Sequence, residues 1–114
     1  MAGPVAILIQ TDPYRSHRPS EAVRIALGLA SNDHEVRILL TGRALLLLGD
    51  DLDDVMDAEI LQRYLPTFRE LEIPFYVEAT AWNALAIESD QKIVPLSLGS
   101  IADEIAAADT LMVF

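Results

Sequence analysis

The chain has 114 residues, of which 52% are apolar, and it contains no cysteine. This is the size of one domain, residues 1–114, with enough apolar material for a hydrophobic core. The missing cysteine excludes disulfides, thiolate metal sites and cysteine nucleophiles, and it favours a cytoplasmic location. The formal net charge of −10 argues against nucleic acid and anionic membrane surfaces as partners.

Five apolar runs predict β-strands. They cover residues 5–10, 35–40, 73–78, 92–96 and 110–114. The first run, VAILIQ, is continuous rather than alternating, which is typical of a strand buried on both faces. Pro95 in the fourth run has no N–H, so it is expected near the end of its strand or at an edge of the sheet.

Helical patterns separate these runs. Ser20 is the expected N-cap of the helix EAVRIALGLA, and TGRALLLL predicts a short helix or turn after the second strand. The stretch AEILQRYLPTFRELE has apolar residues at helical spacing, and Pro66 is expected to kink or split that helix. A short helix is expected at residues 82–87, and a capping box at Ser100–Asp103 is expected to open the last one.

Strands that alternate with helices predict an α/β fold. The sheet should be five-stranded and mostly parallel, with helices on both faces. In open sheets of this kind, ligands bind outside the carboxyl ends of the strands. This rule selects the segments 11–20, 41–57 and 78–82, with 96–100 beside them, as the places to look for a site.

The first of these segments, TDPYRSHRPS, carries several polar side chains just before a helix. Asp12, Tyr14, Arg15 and His17 lie there, and helix N-termini bind anions readily. One interpretation is a site for an anion or a small polar ligand. The other is a surface loop, or a loop that contacts another subunit.

An acid stands at the end of the third predicted strand. Glu78 would serve as a general base if burial raised its pKa, and Val77, Thr80 and Trp82 would complete a pocket around it. The alternative is that Glu78 bonds to the backbone or to Arg15 at the rim of the sheet while Trp82 packs in the core. A single carboxylate does not define a mechanism, so both interpretations stay open.

Other motifs of catalysis or metal binding are missing from the sequence. It contains no glycine-rich dinucleotide or phosphate loop and no G-x-S-x-G element. The acidic stretch GDDLDDVMD lacks the ligand order of a calcium loop and is interpreted as a solvated loop that supplies a helix N-cap. No metal and no other cofactor is predicted.

The order of elements resembles that of a known family. The stretches VAILIQTDP, VRILLTGRALLLL, YLPTFRELEIPFYVEATAW and VPLSLGSIADEIAAADTLMVF together resemble the DsrE/DsrF-like family over essentially the whole chain, with subunits of the DsrF or TusC type most similar. The resemblance implies a three-layer α/β/α sandwich. It also implies assembly into trimers or hexamers, often from related subunits.

In the sulfur-relay members of this family, a cysteine at the end of the third strand carries a persulfide. The resemblance places that position at Val77 or Glu78 in this chain, where no cysteine stands. A persulfide requires a thiolate. The chain is therefore predicted not to carry a persulfide, and a role other than that of an enzyme is favoured.

Two functions follow as expectations. The first is a non-catalytic, cysteine-free subunit of a homo-oligomer, or of a hetero-oligomer with cysteine-bearing DsrE-type paralogues, that supports intracellular sulfur transfer. Its apolar run, Leu45, Leu46, Leu47 and Leu48, is expected at a subunit contact. The alternative is a small-ligand-binding protein or a cysteine-independent enzyme that uses the carboxyl ends of the strands.

Overall fold

One parallel sheet organises the chain, whose residues 3–114 are described by a computed structural model. Its strand order is β4-β3-β2-β1-β5, and each neighbouring pair is parallel. The strands are β1 (Val5–Ile9), β2 (Val36–Leu40), β3 (Phe75–Glu78), β4 (Ile93–Leu96) and β5 (Thr110–Val113). The predicted α/β fold is confirmed, and Pro95 lies in the edge strand β4, as its missing N–H requires.

Helices cover both faces of this sheet. The chain contains α1 (Arg18–Ser31), a 3₁₀ helix (Gly42–Leu48), α2 (Ala58–Glu70), α3 (Ala79–Leu85) and α4 (Leu98–Ala107). From β1 to β4 the strands are added in one direction, whereas β5 returns to the other side of β1. Because parallel crossovers are right-handed, this reversal places α4 on the opposite face from the other helices. The three-layer α/β/α arrangement is the result.

The main hydrophobic core lies between the sheet and the helices α1 and α2. Alternate strand residues, such as Ile7, Ile38 and Phe75, point into it and are fully buried. The ring of Phe75 packs against that of Phe68 from α2, with centroids 5.3 Å apart and planes tilted by 41°. This aromatic contact joins the last turn of α2 to the start of β3.

The leucine run of the 3₁₀ helix belongs to the same core. Leu45, Leu47 and Leu48 are buried within the single chain, whereas Leu46 is half-buried and Arg43 is exposed. A 3₁₀ helix has three residues per turn, so Arg43 and Leu46 share its outer side. The burial of the other three leucines corrects the expectation that they form a subunit contact, because the chain covers them by itself.

The start of α1 differs from the prediction. The helix begins at Arg18, with His17 at the N-cap and a proline in the first turn. Ser20 is therefore not the N-cap but a buried residue inside the helix, and its hydroxyl oxygen lies 2.9 Å from the His17 carbonyl oxygen. Proline suits the first helical turn because its missing N–H has no partner there anyway, and this signal outweighs the capping preference of serine.

The boundaries of later helices also need correction. The last helix begins earlier than predicted, because Ser97 is its N-cap and its Oγ accepts from the Ser100 N–H over 3.1 Å. The helix α3 begins directly after β3 rather than at Trp82. Pro66 lies inside α2 without splitting it.

The second face of the sheet is only partly covered. The helix α4 packs over β3 and β4, where its Ile101 is buried, and its Glu104 pairs with Arg37 of β2 over 3.5 Å. On β5, Leu111 and Val113 point to this same face, since Met112 between them packs against the main core. These two side chains remain 45% and 41% exposed. An apolar strip thus lies open on this face, at the edge of the sheet that α4 does not cover.

Candidate functional site

The carboxyl ends of β2 and β3 are joined by a hydrogen bond. Glu78 Oε1 accepts from the backbone N–H of Gly42 over 3.0 Å. Gly42 has a positive φ of 56°, a conformation that glycine adopts without the cost that a Cβ would add. In the described part of the chain the Glu78 carboxylate therefore meets this backbone N–H, and the ion pair with Arg15 that one interpretation proposed is not formed.

A second carboxylate lies at the same edge of the sheet. Asp12 Oδ2 accepts from Arg43 Nε over 2.8 Å, and Asp12 Oδ1 accepts from the Tyr14 N–H over 2.9 Å. Partial burial acts to raise the pKa of Asp12, but the hydrogen bonds from Arg43 and from the Tyr14 N–H, followed by the charges of Arg43 and Arg15, hold that pKa below its usual value. Asp12 thus stays ionised and suits binding or positioning better than proton donation.

Gly42 and Arg43 were not among the residues predicted from the sequence. They directly follow Thr41 after β2, so the rule that sites form at the carboxyl ends of strands did select their segment. No local pattern identified their partners, because Asp12 and Glu78 are remote in sequence. The two neighbouring residues connect two carboxylates that come from different strand ends.

Another feature of this edge is the hydroxyl of Thr11. Thr11 Oγ1 is buried and has no hydrogen-bond partner in the described part of the chain. Buried polar atoms are almost always bonded, so an unbonded one calls for an explanation. This hydroxyl is adjacent in sequence to Asp12 and lies just past the end of β1.

The predicted anion-binding residue His17 is held by a carboxylate of the chain itself. His17 Nδ1 lies 2.8 Å from Asp57 Oδ2, and the Ser20 hydroxyl donates to the same oxygen over 2.5 Å. The hydrogen bonds from Ser20 and His17 lower the pKa of Asp57. Because Asp57 lies between serine and histidine, the imidazole is not placed to take the serine proton, and the arrangement differs from a nucleophilic triad.

The structure gathers only part of the predicted pocket. Asp12, Arg15 and Glu78 share the carboxyl edge of the sheet, whereas His17 is engaged by Asp57. Val77 is buried in the core, Trp82 is half-buried against it, and Tyr14 and Thr80 are exposed. Within residues 3–114 no group of three or more histidines and acids is placed to hold a metal ion. No helix in that range is long and apolar enough to span a membrane.

Comparison with known proteins identifies the family of this chain and a solved structure with the same fold. The sequence model of the DsrE/DsrF-like family matches residues 4–114, and the chain therefore belongs to that family. The crystal structure of the YchN protein from E. coli has the same fold, with a TM-score of 0.80 and 17% sequence identity over 98% of this chain and 99% of that one. No curated protein sequence gives a significant match.

Proposed function

We infer that the chain is a non-catalytic subunit of a cytoplasmic oligomer, made of copies of itself or of cysteine-bearing DsrE-type paralogues as well, that supports sulfur transfer. The observation that carries this inference is the end of β3. Val77 is fully buried there and Glu78 bonds to the Gly42 N–H. The family resemblance puts the relay cysteine of sulfur-carrying relatives at Val77 or Glu78. In this chain the first is a core side chain and the second is a carboxylate that accepts from the backbone, which supports a role without sulfur chemistry.

Chemistry supports the non-catalytic part of the inference. Sulfane sulfur is accepted by a thiolate, and the sequence contains no cysteine. Incubation with a persulfidated donor should leave the mass of the purified chain unchanged. A stable gain of one sulfur atom in the mass spectrum would refute the assignment.

An oligomer also fits the open strip on the second face of the sheet. Leu111 and Val113 are exposed there, beside Leu8, which is half-buried. Apolar patches that stay open on a folded chain commonly mark contacts with partner proteins. The expected occupant is a second chain of the same fold, either a copy or a paralogue, in a trimer or a hexamer.

Light scattering tests this surface directly. The unmodified protein should have the mass of an oligomer, and Leu111→Glu should reduce that mass because a charge cannot be desolvated cheaply in an apolar contact. Leu71→Glu is the matched control, since Leu71 is 57% exposed but lies at the end of α2. A monomeric parent protein, or equal masses for the parent and Leu111→Glu, would contradict the proposed surface.

The supporting role needs a functional assay as well. Cysteine-bearing DsrE-type proteins of the same organism should be coexpressed with this chain, and the sulfur-transfer rate of the purified complex compared with that of the paralogue alone. A stoichiometric complex with faster transfer is expected. If no complex forms, or if the rate does not change, the proposed role in sulfur transfer fails.

The alternative, a small-ligand site at the carboxyl ends of the strands, is favoured by Thr11. Its buried and unbonded hydroxyl lies beside Asp12, whose carboxylate is fixed by Arg43. A ligand polar group that reached this hydroxyl would satisfy it. A crystal structure that shows a bound molecule in contact with Thr11 and Asp12 would favour this function over the first.

A further inference from the structure

A cleft lies away from the carboxyl edge, between the 3₁₀ helix, α2 and the segment before β4. Its volume is about 410 Å³, within the range of about 300–1,000 Å³ that small-molecule sites occupy. A second cavity, beside His17 and Asp57, measures about 250 Å³ and falls below that range. The residues that line the cleft come from the segments 48–52, 62–69 and 89–91.

A proline leaves one backbone acceptor of this cleft without its helical donor. In an α-helix, the N–H of residue 66 would bond to the carbonyl of residue 62. Pro66 has no N–H, so the carbonyl of Gln62 receives no such bond. Both residues line the cleft.

A side-chain acceptor of Gln91, which also lines the cleft, lacks a donor as well. Gln91 Nε2 donates to the Leu65 carbonyl over 3.0 Å, which fixes the orientation of the amide. Its Oε1 is buried and has no partner among residues 3–114. Leaving a buried acceptor unbonded is unfavourable, so a donor that reached this oxygen after a small shift of the side chain would be favoured.

The charges around the cleft favour a positive ligand. Asp50 and Asp90 line it with a single basic residue, Arg69, so its charged lining carries a formal charge of −1. Arg69 does not neutralise Asp90 closely, because their nitrogen and oxygen lie 3.7 Å apart and the side chains are 47% and 74% exposed. Leu48, Leu52 and Leu65 lie at the base of the cleft and are almost fully buried, so the surface that the cleft exposes is mostly polar.

We propose that this cleft binds a small organic cation whose amine or amidine N–H groups donate to the Gln91 amide oxygen and the Gln62 carbonyl. Its charge is balanced by Asp50 and Asp90. The acceptors, the charge and the size all point to the same chemistry. The proposal is independent of sulfur transfer, because it uses none of the residues at the end of β3.

Benzamidine is a suitable probe, since it joins a flat apolar ring to a cationic group with several N–H donors. Titration of the full-length chain, followed by ¹H–¹⁵N NMR, should give saturable shifts concentrated at residues 62–69 and 89–91. Benzoate has nearly the same shape and the opposite charge, and it should not bind. Shifts that do not saturate or that lie elsewhere, or equal binding of benzoate, would overturn the proposal.

Variants of the lining test each part of the recognition. Gln91→Leu and Asp90→Asn should each weaken benzamidine binding about fivefold, which is within the effect of one lost hydrogen bond. Arg69→Gln removes the competing cation from an exposed position and should tighten binding. Asp103→Asn is the matched control for charge, because Asp103 is exposed on α4.

The outcomes decide between specific and nonspecific binding. If Asp103→Asn weakens binding as much as Asp90→Asn does, the probe responds only to the net negative charge of the chain and the site is refuted. If Arg69→Gln weakens binding, the cleft prefers anions and the proposal is wrong. The Arg69 result remains decisive even if Gln91→Leu does not fold, because Arg69 lies at the surface.

Discussion

Replacing Leu47 with alanine tests the role of the leucine run. Leu47 has 0% exposure in the single chain, so neither solvent nor a partner chain contacts its side chain. The substitution removes about three carbon atoms, worth roughly 2.4 kcal/mol at about 0.8 kcal/mol each. The remaining cavity adds to this loss, because measured Leu→Ala changes in cores cost about 2–5 kcal/mol. We expect the free energy of unfolding to fall by about 3 kcal/mol.

Urea denaturation measures this loss, and Leu46→Ala is the control. Leu46 is half-buried on the outer side of the same helix, so its truncation should cost less than about 1 kcal/mol. Light scattering on the native variants shows whether assembly changes as well. If Leu47→Ala costs less than about 1 kcal/mol and lowers the native mass, the run is a subunit contact and its assignment to the core is refuted.

Three further substitutions probe the candidate site and its surroundings. Asp57 has a lowered pKa, so its stabilising bonds are intact at neutral pH and are lost as the pH falls through that pKa. On acidification, the melting temperature of Asp57→Asn should therefore fall less than that of the parent protein. An equal fall would contradict the link to His17 and Ser20. Thr11→Val should leave the free energy of unfolding unchanged or raise it by up to about 1 kcal/mol, whereas a loss above about 1 kcal/mol in urea would reveal a partner for the hydroxyl. Gly42→Ala should lower the free energy of unfolding by about 1 kcal/mol in the same assay, because residue 42 has a positive φ; an added Cβ would meet no other atom. An unchanged free energy of unfolding would exclude that backbone conformation.

The sequence predicts those elements whose signals are local. The continuous run at Val5–Ile9 indicated a strand buried on both faces, and Pro95 indicated a strand end or a sheet edge. The structure agrees with both, because β1 lies inside the sheet and β4 at its edge. Helix starts were less certain, because Ser20 and Ser97 carry the same capping signal and only the proline in the first turn of α1 distinguishes them. Local patterns also did not predict that three leucines of the run at residues 45–48 would be buried by their own chain.

The candidate site was harder to predict than the fold. Its segments followed from the rule for strand ends, but its contacts join residues far apart in the chain. Asp12 meets Arg43, and His17 meets Asp57, through tertiary packing that no periodicity encodes. The family resemblance supplied the position of the missing cysteine, whereas the hydrogen bond from Gly42 to Glu78 emerged only from the structure.

The strand order has a consequence for how this chain folds. Every pairing is parallel, so each requires a crossover, and none forms by closing a short hairpin. The most distant pairing joins Val5 of β1 to Thr110 of β5. Contacts between residues so far apart in sequence slow folding, since the entropy of closing the loop must be overcome before the contact stabilises the chain. We therefore expect β1 to find β2 before it finds β5, and a late intermediate to expose one side of β1 until the last strand docks.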